Sequence, residues 1–364
     1  MQELRTMKGT YLNINGFLPG AGVFDSWAVL PGIYEWIVRQ DAKAASGLFT
    51  ALEVALSGNP SFAEAAHLYV NMAWDLKTSQ DAVDKAVHIA RQSIEAGRSD
   101  DLPPGHLLPP RPISGILLLT VASHSSPRLE LLQRSAAAAG IDLRVEGLGE
   151  PWHGFGDKIF RTRQVLEGVD GNLLVVFLDA FDTLLLPTAK DLARRFLWTG
   201  ADIIFGTELE CHHDIGLQWL YPPHLASNRA FLNSGTYAGR ASDLRLMLDE
   251  VILDLRRNHE AFGRDVRDAF DQRWFTRFFL RHADSSRVVL DTSRILFLTL
   301  HALPPGDLSL VPGDPALLRF EPTGGSPCIL HGNGREGKGR LDVLTEGLRA
   351  ASWPPEGAAP TAVT

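Results

Sequence analysis

The spacing of apolar residues divides the chain into two parts of different character. From residue 26 to residue 97, apolar side chains recur at helical intervals, which predicts helices over 27–40, 42–56, 62–76 and 79–97. Five prolines follow between residues 101 and 112, and they favour an extended linker because proline cannot continue a helix. We therefore predict a small all-α domain over residues 1–100 and a linker over residues 101–113.

Beyond the linker, short apolar runs alternate with amphipathic segments. Strands are predicted over 115–122, 142–146, 173–178 and 201–206, and helices over 127–139, 157–166 and 190–197. The alternation indicates βαβ units, and the continuous apolar runs are typical of parallel strands that are buried on both faces. We predict an α/β domain with a mainly parallel sheet over residues 114–345, followed by a C-terminal tail over 346–364.

One of these strands ends in two carboxylates, in the sequence NLLVVFLDAFDTLLL. Asp179 directly follows the apolar run 173–178, and Asp182 comes three residues later. Open α/β folds bind their ligands at the carboxyl ends of the parallel strands, where two carboxylates separated by a turn can face one cation. The alternative is structural: Asp182 would cap the next element, and Asp179 would bind backbone groups of the loop.

Four further stretches place polar or aromatic groups where packing alone does not require them. Trp152 and Lys158 lie in LGEPWHGFGDK, where they could stack on a base and reach a phosphate. Asn233 lies in FLNSGTYAG, Asp271 begins a predicted helix in DAFDQRWFTRFF, and His331 ends the apolar run of ILHGNG. Each also has an ordinary structural interpretation: a half-buried loop tryptophan, a tight turn, a first-turn acid stabilised by the helix dipole and a buried histidine.

Composition and charge narrow the classes of function. The 364 residues are 45% hydrophobic and 21% charged, as in an ordinary globular protein of one large and one smaller domain. The formal net charge of −8 argues against a broad surface for nucleic acid or anionic lipid, and the two cysteines exclude a disulfide framework.

Two common nucleotide-binding motifs and a targeting signal are missing from the sequence. No G-x-G-x-x-G and no G-x-x-x-x-G-K-[ST] follows the strand predicted over 115–122, which disfavours a Rossmann dehydrogenase and a P-loop NTPase. The N-terminal residues lack a signal-peptide pattern, and no apolar run is long enough to span a bilayer. A cytoplasmic location without membrane contact is therefore expected.

Taken together and in order, these motifs resemble the glycosyltransferase domain of the procollagen lysyl hydroxylases and related collagen-type glycosyltransferases. That family has an Asp-x-x-Asp strand end, as in LDAFD, and an F-L-x-S-G-x-x-x-G segment, as in FLNSGTYAG. It also has an acidic residue followed by Gln at a helix start, as in Asp271-Gln272, and an H-G-N-G, as in residues 331–334. The similarity extends to TVAS at residues 120–123, LGEPW at 148–152 and Lys158, and it spans about residues 115–340. The dioxygenase portion of the lysyl hydroxylases has no counterpart in this sequence, so hydroxylation is not expected.

The resemblance implies a GT-A type nucleotide-sugar-binding fold and a transferase that moves a hexose from UDP-glucose or UDP-galactose to a hydroxyl acceptor, using Mn²⁺ or Mg²⁺. It implies that Asp179, Asp182 and His331 hold the metal. It assigns the reacting centre to Asp271 and Asn233. The residues it assigns to the UDP-sugar are Thr120, Val121, Trp152, Lys158, Phe181, Asn333, Gly334 and Lys338. It does not identify the acceptor, which could be a protein, a peptide, a small molecule or a modified base.

The sequence departs from the family pattern at two places. Phe181 stands between the two aspartates where the family commonly has Tyr, so a hydroxyl group near the ribose or uracil is lost. The acidic cluster before Gln272 is interrupted by Ala269 and Phe270.

Two other functions stay open at this point. One is a haloacid-dehalogenase-like phosphatase, with Asp179 as nucleophile and Asp182 as acid–base. It is disfavoured because its nucleophile strand normally opens the domain, whereas two strand–helix units precede this one. The other is a non-catalytic UDP-sugar-binding module.

Overall fold

The computed structural model describes residues 49–50, 52–53, 56, 63–75, 79–96, 112–212, 214–260, 265–311, 317–350 and 353–355. The helix predicted over 27–40, most of that over 42–56, the linker up to residue 111 and most of the C-terminal tail lie outside the described residues. The chain forms two compact units: Met1–Arg98 with Cys211–Tyr221 and Leu253–Val266, and Ser99–Glu210 with Pro222–Ile252 and Arg267–Thr364. The domain limits drawn from the sequence stay predictions.

The described part of the first unit is mainly helical. Helix α1 (Ala63–Asp75) packs against helix α2 (Gln80–Ala96). The buried carboxylate of Asp214 lies 3.1 Å from His67 Nδ1 and accepts a hydrogen bond of 3.2 Å from Asn71 Nδ2. Asn71 Oδ1 in turn accepts a 2.7 Å hydrogen bond from the N–H of Gly216. Buried polar groups that satisfy one another in this way hold the segment 211–221 within the helical unit.

The second unit contains strands and helices in alternation. Its strands are β1 (Ile116–Val121), β2 (Leu143–Glu146), β3 (Leu174–Leu178), β4 (Thr183–Leu185), β5 (Ile203–Glu208), β6 (Phe231–Arg240), β7 (Val288–Leu290), β8 (Phe297–Thr299), β9 (Leu308–Val311), β10 (Leu317–Phe320) and β11 (Ile329–His331). Its helices are α3 (Pro127–Ala139), α4 (Gly156–Glu167), α5 (Leu192–Thr199), α6 (Pro223–Ser227), α7 (Ala241–Asn258, whose last turns belong to the first unit), α8 (Asp271–His282) and α9 (Gly334–Ala350).

The main sheet of the described residues has six strands in the order β2–β1–β3–β6–β5–β7. Every neighbouring pair is parallel except the two that include β6, which runs antiparallel to β3 and to β5. All ten residues of β6 are buried, so FLNSGTYAG forms a central strand and the tight-turn interpretation is wrong. The mainly parallel sheet with helices confirms the predicted α/β, GT-A-like fold class.

A smaller sheet takes over directly after Asp182. It has the order β4–β11–β8, with β11 antiparallel to β4 and parallel to β8. In this register His331 lies opposite Thr183. The crossing of the chain from β3 to β4 therefore joins the two sheets at the predicted acidic motif.

Local sequence signals explain where most elements begin and end. The Ser126 side chain accepts a hydrogen bond from Leu129 N–H and Gly140 has a φ of 70°, so α3 matches its predicted limits. The strand predicted over 201–206 instead runs over Ile203–Glu208. The strand continues through Gly206. A Cβ at this position would clash with Thr236 Oγ1 of the adjacent β6, so the glycine permits close packing inside the sheet.

The core of this unit lies on both faces of the main sheet. Leu118, Val176 and Ile204 pack with apolar residues of α3 and α5, which leaves the carboxyl ends of the strands as the place where polar side chains collect. No helix in the described part of the chain is long and apolar enough to cross a membrane.

Candidate functional site

The acidic residues that follow β3 lie at the carboxyl edge of the main sheet. Every residue of β3 is buried, so polar side chains begin only at Asp179. The Asp179 N–H donates to the Gly235 carbonyl at 2.8 Å, and Thr183 Oγ1 donates to the Asp179 carbonyl at 2.6 Å. These bonds close the turn and bring the carboxylates of Asp179 and Asp182 into one cluster.

His331 completes that cluster. Its Nε2 lies 3.5 Å from Asp182 Oδ1 and 3.7 Å from Asp179 Oδ2, and one ligand atom from each of the three residues lies within 4.8 Å of the others. Donor atoms bound at ~2.1 Å to one cation have separations of this size. Two carboxylates with one imidazole suit a divalent cation of the Mn²⁺ and Mg²⁺ class, so the donor set fits the predicted metal.

Gly235 lets the backbone of β6 lie against this cluster. A Cβ at this position would clash with His331 Cε1 and would lie 2.7 Å from Asp179 Oδ2. The close approach that Gly235 permits is therefore to the proposed metal ligands. The glycine is required here for space, since its φ is not in the left-handed region.

The pKa values of Asp182 and His331 in this cluster are shifted in opposite directions. Burial would raise the pKa of Asp182, but a hydrogen bond and the charge of His331, together with two lysines, lower that pKa to about 2. Burial would lower the pKa of His331, but Asp182 and Asp179 raise it. The Asp182 carboxylate therefore stays negative at neutral pH and attracts cationic groups.

Lys158 connects the cluster to Asp271. The lysine lies in α4, and its Nζ is 2.5 Å from Asp179 Oδ1 and 3.4 Å from Asp271 Oδ2. Burial would lower the pKa of the Lys158 ammonium, but Asp179 and Asp271 raise it. Asp271 is the first residue of α8 and is buried, and its Oδ1 accepts a 2.9 Å hydrogen bond from Gln272 N–H. Burial raises the pKa of Asp271, and the charge of Lys158 opposes that rise.

The segment after β11 contributes three of the predicted donor-binding residues in different ways. Lys338 is half-exposed, and its Nζ lies 3.3 Å from Asp182 Oδ2, on the solvent side of the cluster. Gly334 has a φ of 68° and begins α9. Asn333 is turned inward: its Oδ1 accepts a 3.1 Å hydrogen bond from the N–H of His301.

Aromatic side chains form an exposed wall beside Lys158. Trp152 is 42% exposed and Phe155 is 44% exposed, and their rings meet edge to face with centroids 6.1 Å apart. Phe155 also meets Phe270 edge to face at 5.4 Å, and Lys158 Nζ lies 5.1 Å from the Phe155 centroid. Trp152 is thus available to a planar ligand, and Phe155, which no sequence motif indicated, lies beside it.

The other residues assigned to the nucleotide lie after β1 and β3. Phe181 stacks on His124 with ring centroids 4.7 Å apart. The ring that lacks the family's tyrosine hydroxyl therefore has the His124 imidazole as its neighbour. Val121 is buried, and Thr120 is buried with its Oγ1 donating to the Leu178 carbonyl at 2.6 Å. The structure therefore does not bring the Thr120 hydroxyl to the site.

Glu208, which the sequence did not single out, lies among these residues. It is the last residue of β5 and is buried. Gln272 Nε2 donates to its Oε1 at 2.6 Å and Asn333 Nδ2 donates to its Oε2 at 2.8 Å. Asn233 interacts with the same carboxylate. An acid at the end of an apolar run, as in IIFGTE, is the same signal that identified Asp179.

Comparison with known proteins adds a family to this geometry. Residues 113–358, more than half of the chain, match the family described as the PLOD GT domain. The procollagen-lysine,2-oxoglutarate 5-dioxygenase of Drosophila melanogaster is 28% identical over 234 residues, which cover 60% of this chain and 30% of that protein. The multifunctional procollagen lysine hydroxylase and glycosyltransferase LH3 of Homo sapiens is 24% identical over 254 residues, which cover 66% of this chain and 32% of that protein.

The aligned part is therefore about a third of the length of these curated relatives. Among solved structures, a glycosyltransferase involved in the glycosylation of the major capsid of PBCV-1 covers 63% of this chain with 98% of its own, at 14% identity and a TM-score of 0.38. The family match confirms the resemblance to the procollagen lysyl hydroxylase glycosyltransferase domain.

Proposed function

Because this chain belongs to the PLOD GT domain family, we propose that it is a metal-dependent glycosyltransferase that moves a hexose from a UDP-sugar to a hydroxyl acceptor. The observation that carries the proposal is the cluster of Asp179, Asp182 and His331 at the carboxyl edge of a mainly parallel sheet. Nucleotide ligands of open α/β sheets bind at that edge.

The three residues of the cluster would hold Mn²⁺ or Mg²⁺. A cation held there would supply Lewis-acid stabilisation of the negative charge that develops on the leaving UDP. Lys158 and Lys338 reach Asp179 and Asp182 from two directions. With a diphosphate present, both ammonium groups would turn from the carboxylates to the phosphate oxygens, which offer charge-assisted hydrogen bonds.

The uridine would lie toward the ends of β1 and β3. Trp152 offers an exposed aromatic face, and Phe181 offers a second ring that is already stacked on His124. Contacts from Thr120 would come from its backbone, since its hydroxyl donates to Leu178.

Asp271 and Asn233 would face the transferred sugar and the acceptor hydroxyl. Asp271 Oδ2 is buried and its nearest charged partner is the Lys158 ammonium at 3.4 Å. Once Lys158 contacts phosphate, Asp271 becomes a free acceptor at the reacting centre. Burial raises its pKa, which makes the carboxylate a better proton acceptor than an exposed aspartate.

The test is metal-dependent release of UDP from purified protein. A panel of UDP-glucose, UDP-galactose and other UDP-hexoses with Mn²⁺ should yield free UDP from one donor, and EDTA should abolish the release. Asp182→Ala should reduce the rate at least about 100-fold. Asp249→Ala removes a half-exposed carboxylate of α7 that pairs with Arg163 of α4, and it should leave the rate unchanged.

Other outcomes would select the competing functions. UDP release that is equally fast in EDTA would contradict the metal assignment. Calorimetric binding of UDP with Mn²⁺ but no release from any donor would indicate a binding module. Release of phosphate from a generic phosphate ester, with an acyl-phosphate at Asp179, would indicate the phosphatase.

A further inference from the structure

Glu208 is a buried carboxylate whose hydrogen-bond partners are neutral amides, and the charge of His331 also acts on it. It is 2% exposed, and within the described parts of the chain no lysine or arginine forms an ion pair with it. Burial raises its pKa from 4.5 to about 7. Burying an unpaired carboxylate is costly, and a core leucine at the same strand end would not carry that cost. The position therefore calls for an explanation other than stability.

The surroundings of Glu208 consist of side-chain amides. Gln272 and Asn333 donate to its two oxygens at 2.6 and 2.8 Å, and Asn233 interacts with it as well. An ionised carboxylate only accepts hydrogen bonds, so Glu208 in that form can orient several NH₂ groups toward one point.

Each of these amides uses its oxygen elsewhere, which fixes its orientation. Asn333 Oδ1 accepts from the N–H of His301 at 3.1 Å, and Asn233 Oδ1 accepts from the N–H of Gly235 at 3.1 Å. Gln272 Oε1 lies 3.3 Å from the N–H of Ser234. Rotating any amide to suit a different partner would therefore break a second contact.

The amides belong to three separate elements that border the proposed site. Asn233 lies two residues before Gly235, whose backbone touches the proposed metal ligands. Gln272 directly follows Asp271 at the start of α8, and Asn333 follows His331 at the start of the segment that carries Lys338. One carboxylate thus connects the strand, the helix and the loop whose side chains must share one geometry.

We propose that Glu208 is a positioning residue of the glycosyl-transfer site, which holds β6, the first turn of α8 and the segment after β11 in register through its three amide partners. This inference rests on the proposed function for its kinetic consequence. Glu208 would not touch the metal; it would set where Asn233, Asp271 and the residues after His331 lie relative to the donor sugar.

Glu208→Gln is the decisive variant. It keeps the shape but turns an NH₂ group toward an amide that is itself a donor, so one of the three amides must move. We expect kcat for UDP release to fall about 10- to 100-fold, while KM for the donor and the affinity for Mn²⁺ with UDP change less than about threefold. A fall in kcat with KM unchanged is what misplaced reacting groups produce.

A matched control is Glu250→Gln. Glu250 is also buried, but it accepts from Arg281 and faces His282 at the far end of α8. The control should lower the melting temperature without changing kcat. If Glu208→Gln leaves kcat at the wild-type value, or if it lowers kcat only in proportion to the loss of folded protein, the positioning role is wrong.

A second readout does not depend on activity. In protein labelled with ¹⁵N at Asn and Gln, the side-chain NH₂ signals of Asn233, Gln272 and Asn333 should shift and exchange faster in Glu208→Gln but not in Glu250→Gln. Unchanged signals would overturn the inference even if the wild type releases no UDP, so its failure is separate from failure of the proposed function. Should Glu208→Gln not fold, Gln272→Met removes one amide and must show the same kcat loss for the inference to stand.

Discussion

Two loops at the same edge of the main sheet use a buried or half-buried aspartate in opposite ways. After β7, Asp291 accepts hydrogen bonds from the backbone N–H groups of its own loop, at Ile295, Leu296 and Phe297. After β3, the side chain of Asp179 faces the side chains of Lys158 and His331. The hydrogen-bonding capacity of the Asp291 carboxylate is satisfied by backbone donors, whereas the Asp179 carboxylate faces cationic groups that a ligand can replace.

The comparison gives a rule for this sheet edge. An acid at a strand end is structural when the backbone of its own loop satisfies it, as capping interactions do elsewhere. It is a candidate ligand when only side chains of other elements satisfy it. Asp291 is also more buried than Asp179, so burial and the kind of partner change together.

The largest expected effect falls on the candidate ligand. Asp179→Asn should reduce Mn²⁺-dependent UDP release at least about 100-fold, because a neutral amide removes one negative ligand from the cluster. Thermal unfolding should change little. If Asp179→Asn unfolds the protein while the folded fraction keeps its full rate of UDP release, Asp179 is a structural acid like Asp291 and its assignment as a ligand is wrong.

Glu208 is a third acid at a strand end, and it differs from both aspartates because its hydrogen-bond partners are side-chain amides. Because its folded-state pKa of about 7 is raised above 4.5, its contribution to stability is present below pH 4.5 and is lost as pH rises toward 7. Over that range the wild type should lose up to about 3 kcal/mol relative to Glu208→Gln. Denaturant unfolding at several pH values measures this, and a constant difference would contradict it.

Gly235→Ala tests whether the candidate ligands need the close approach of β6. The added Cβ would clash with His331 Cε1, so His331 must move away from the aspartates. We expect Mn²⁺ affinity to fall about 10- to 100-fold in calorimetric titrations. Gly339→Ala, where a Cβ meets nothing within 4 Å, is the control and should bind Mn²⁺ as the wild type does.

Asp291→Asn tests the structural side of the comparison. The amide would turn an NH₂ group toward backbone N–H donors, so the free energy of unfolding should fall by about 2 kcal/mol. The kcat for UDP release should stay near the wild-type value, as measured on folded protein below the melting transition. A selective loss of kcat without loss of stability would place Asp291 among the functional acids.

Phe181→Tyr should have the smallest effect. The added hydroxyl restores the group common in the family, and one hydrogen bond to the nucleotide contributes about 1 kcal/mol. We expect KM for the UDP-sugar to fall about fivefold with kcat unchanged. A rise in KM would show that the stack of Phe181 on His124 has already taken the place of that hydroxyl.

The sequence predicted the fold where the signals are local. The capping Ser126 and Gly140 define α3, and the apolar run before Asp179 defines β3, because both depend on neighbouring residues. The central position of β6 could not be predicted in this way, since its polar Asn233 and Ser234 are satisfied by groups far away in the chain.

The candidate site divides similarly. Asp179, Asp182 and His331 lie in motifs whose order is visible in the sequence, and the structure brings them together. The sequence does not identify Glu208, because the predicted strand over 201–206 ends at Gly206. The observed strand β5 continues to Glu208, and Gly206 permits close packing inside the sheet. Thr120 looked available to a ligand, but its hydroxyl is bonded inside the sheet, which only the tertiary structure could reveal.

The crossing of the chain between the two sheets has a consequence for folding. Asp179 and Asp182 lie at that crossing, whereas His331 comes from β11, the last strand of the described chain. A chain folded only as far as β7 would carry both aspartates and an incomplete cation site. Affinity for the cation would rise when β11 docks beside β4, and by linkage the bound ion would stabilise that docking. Binding of the cation would then indicate that β11 has docked beside β4.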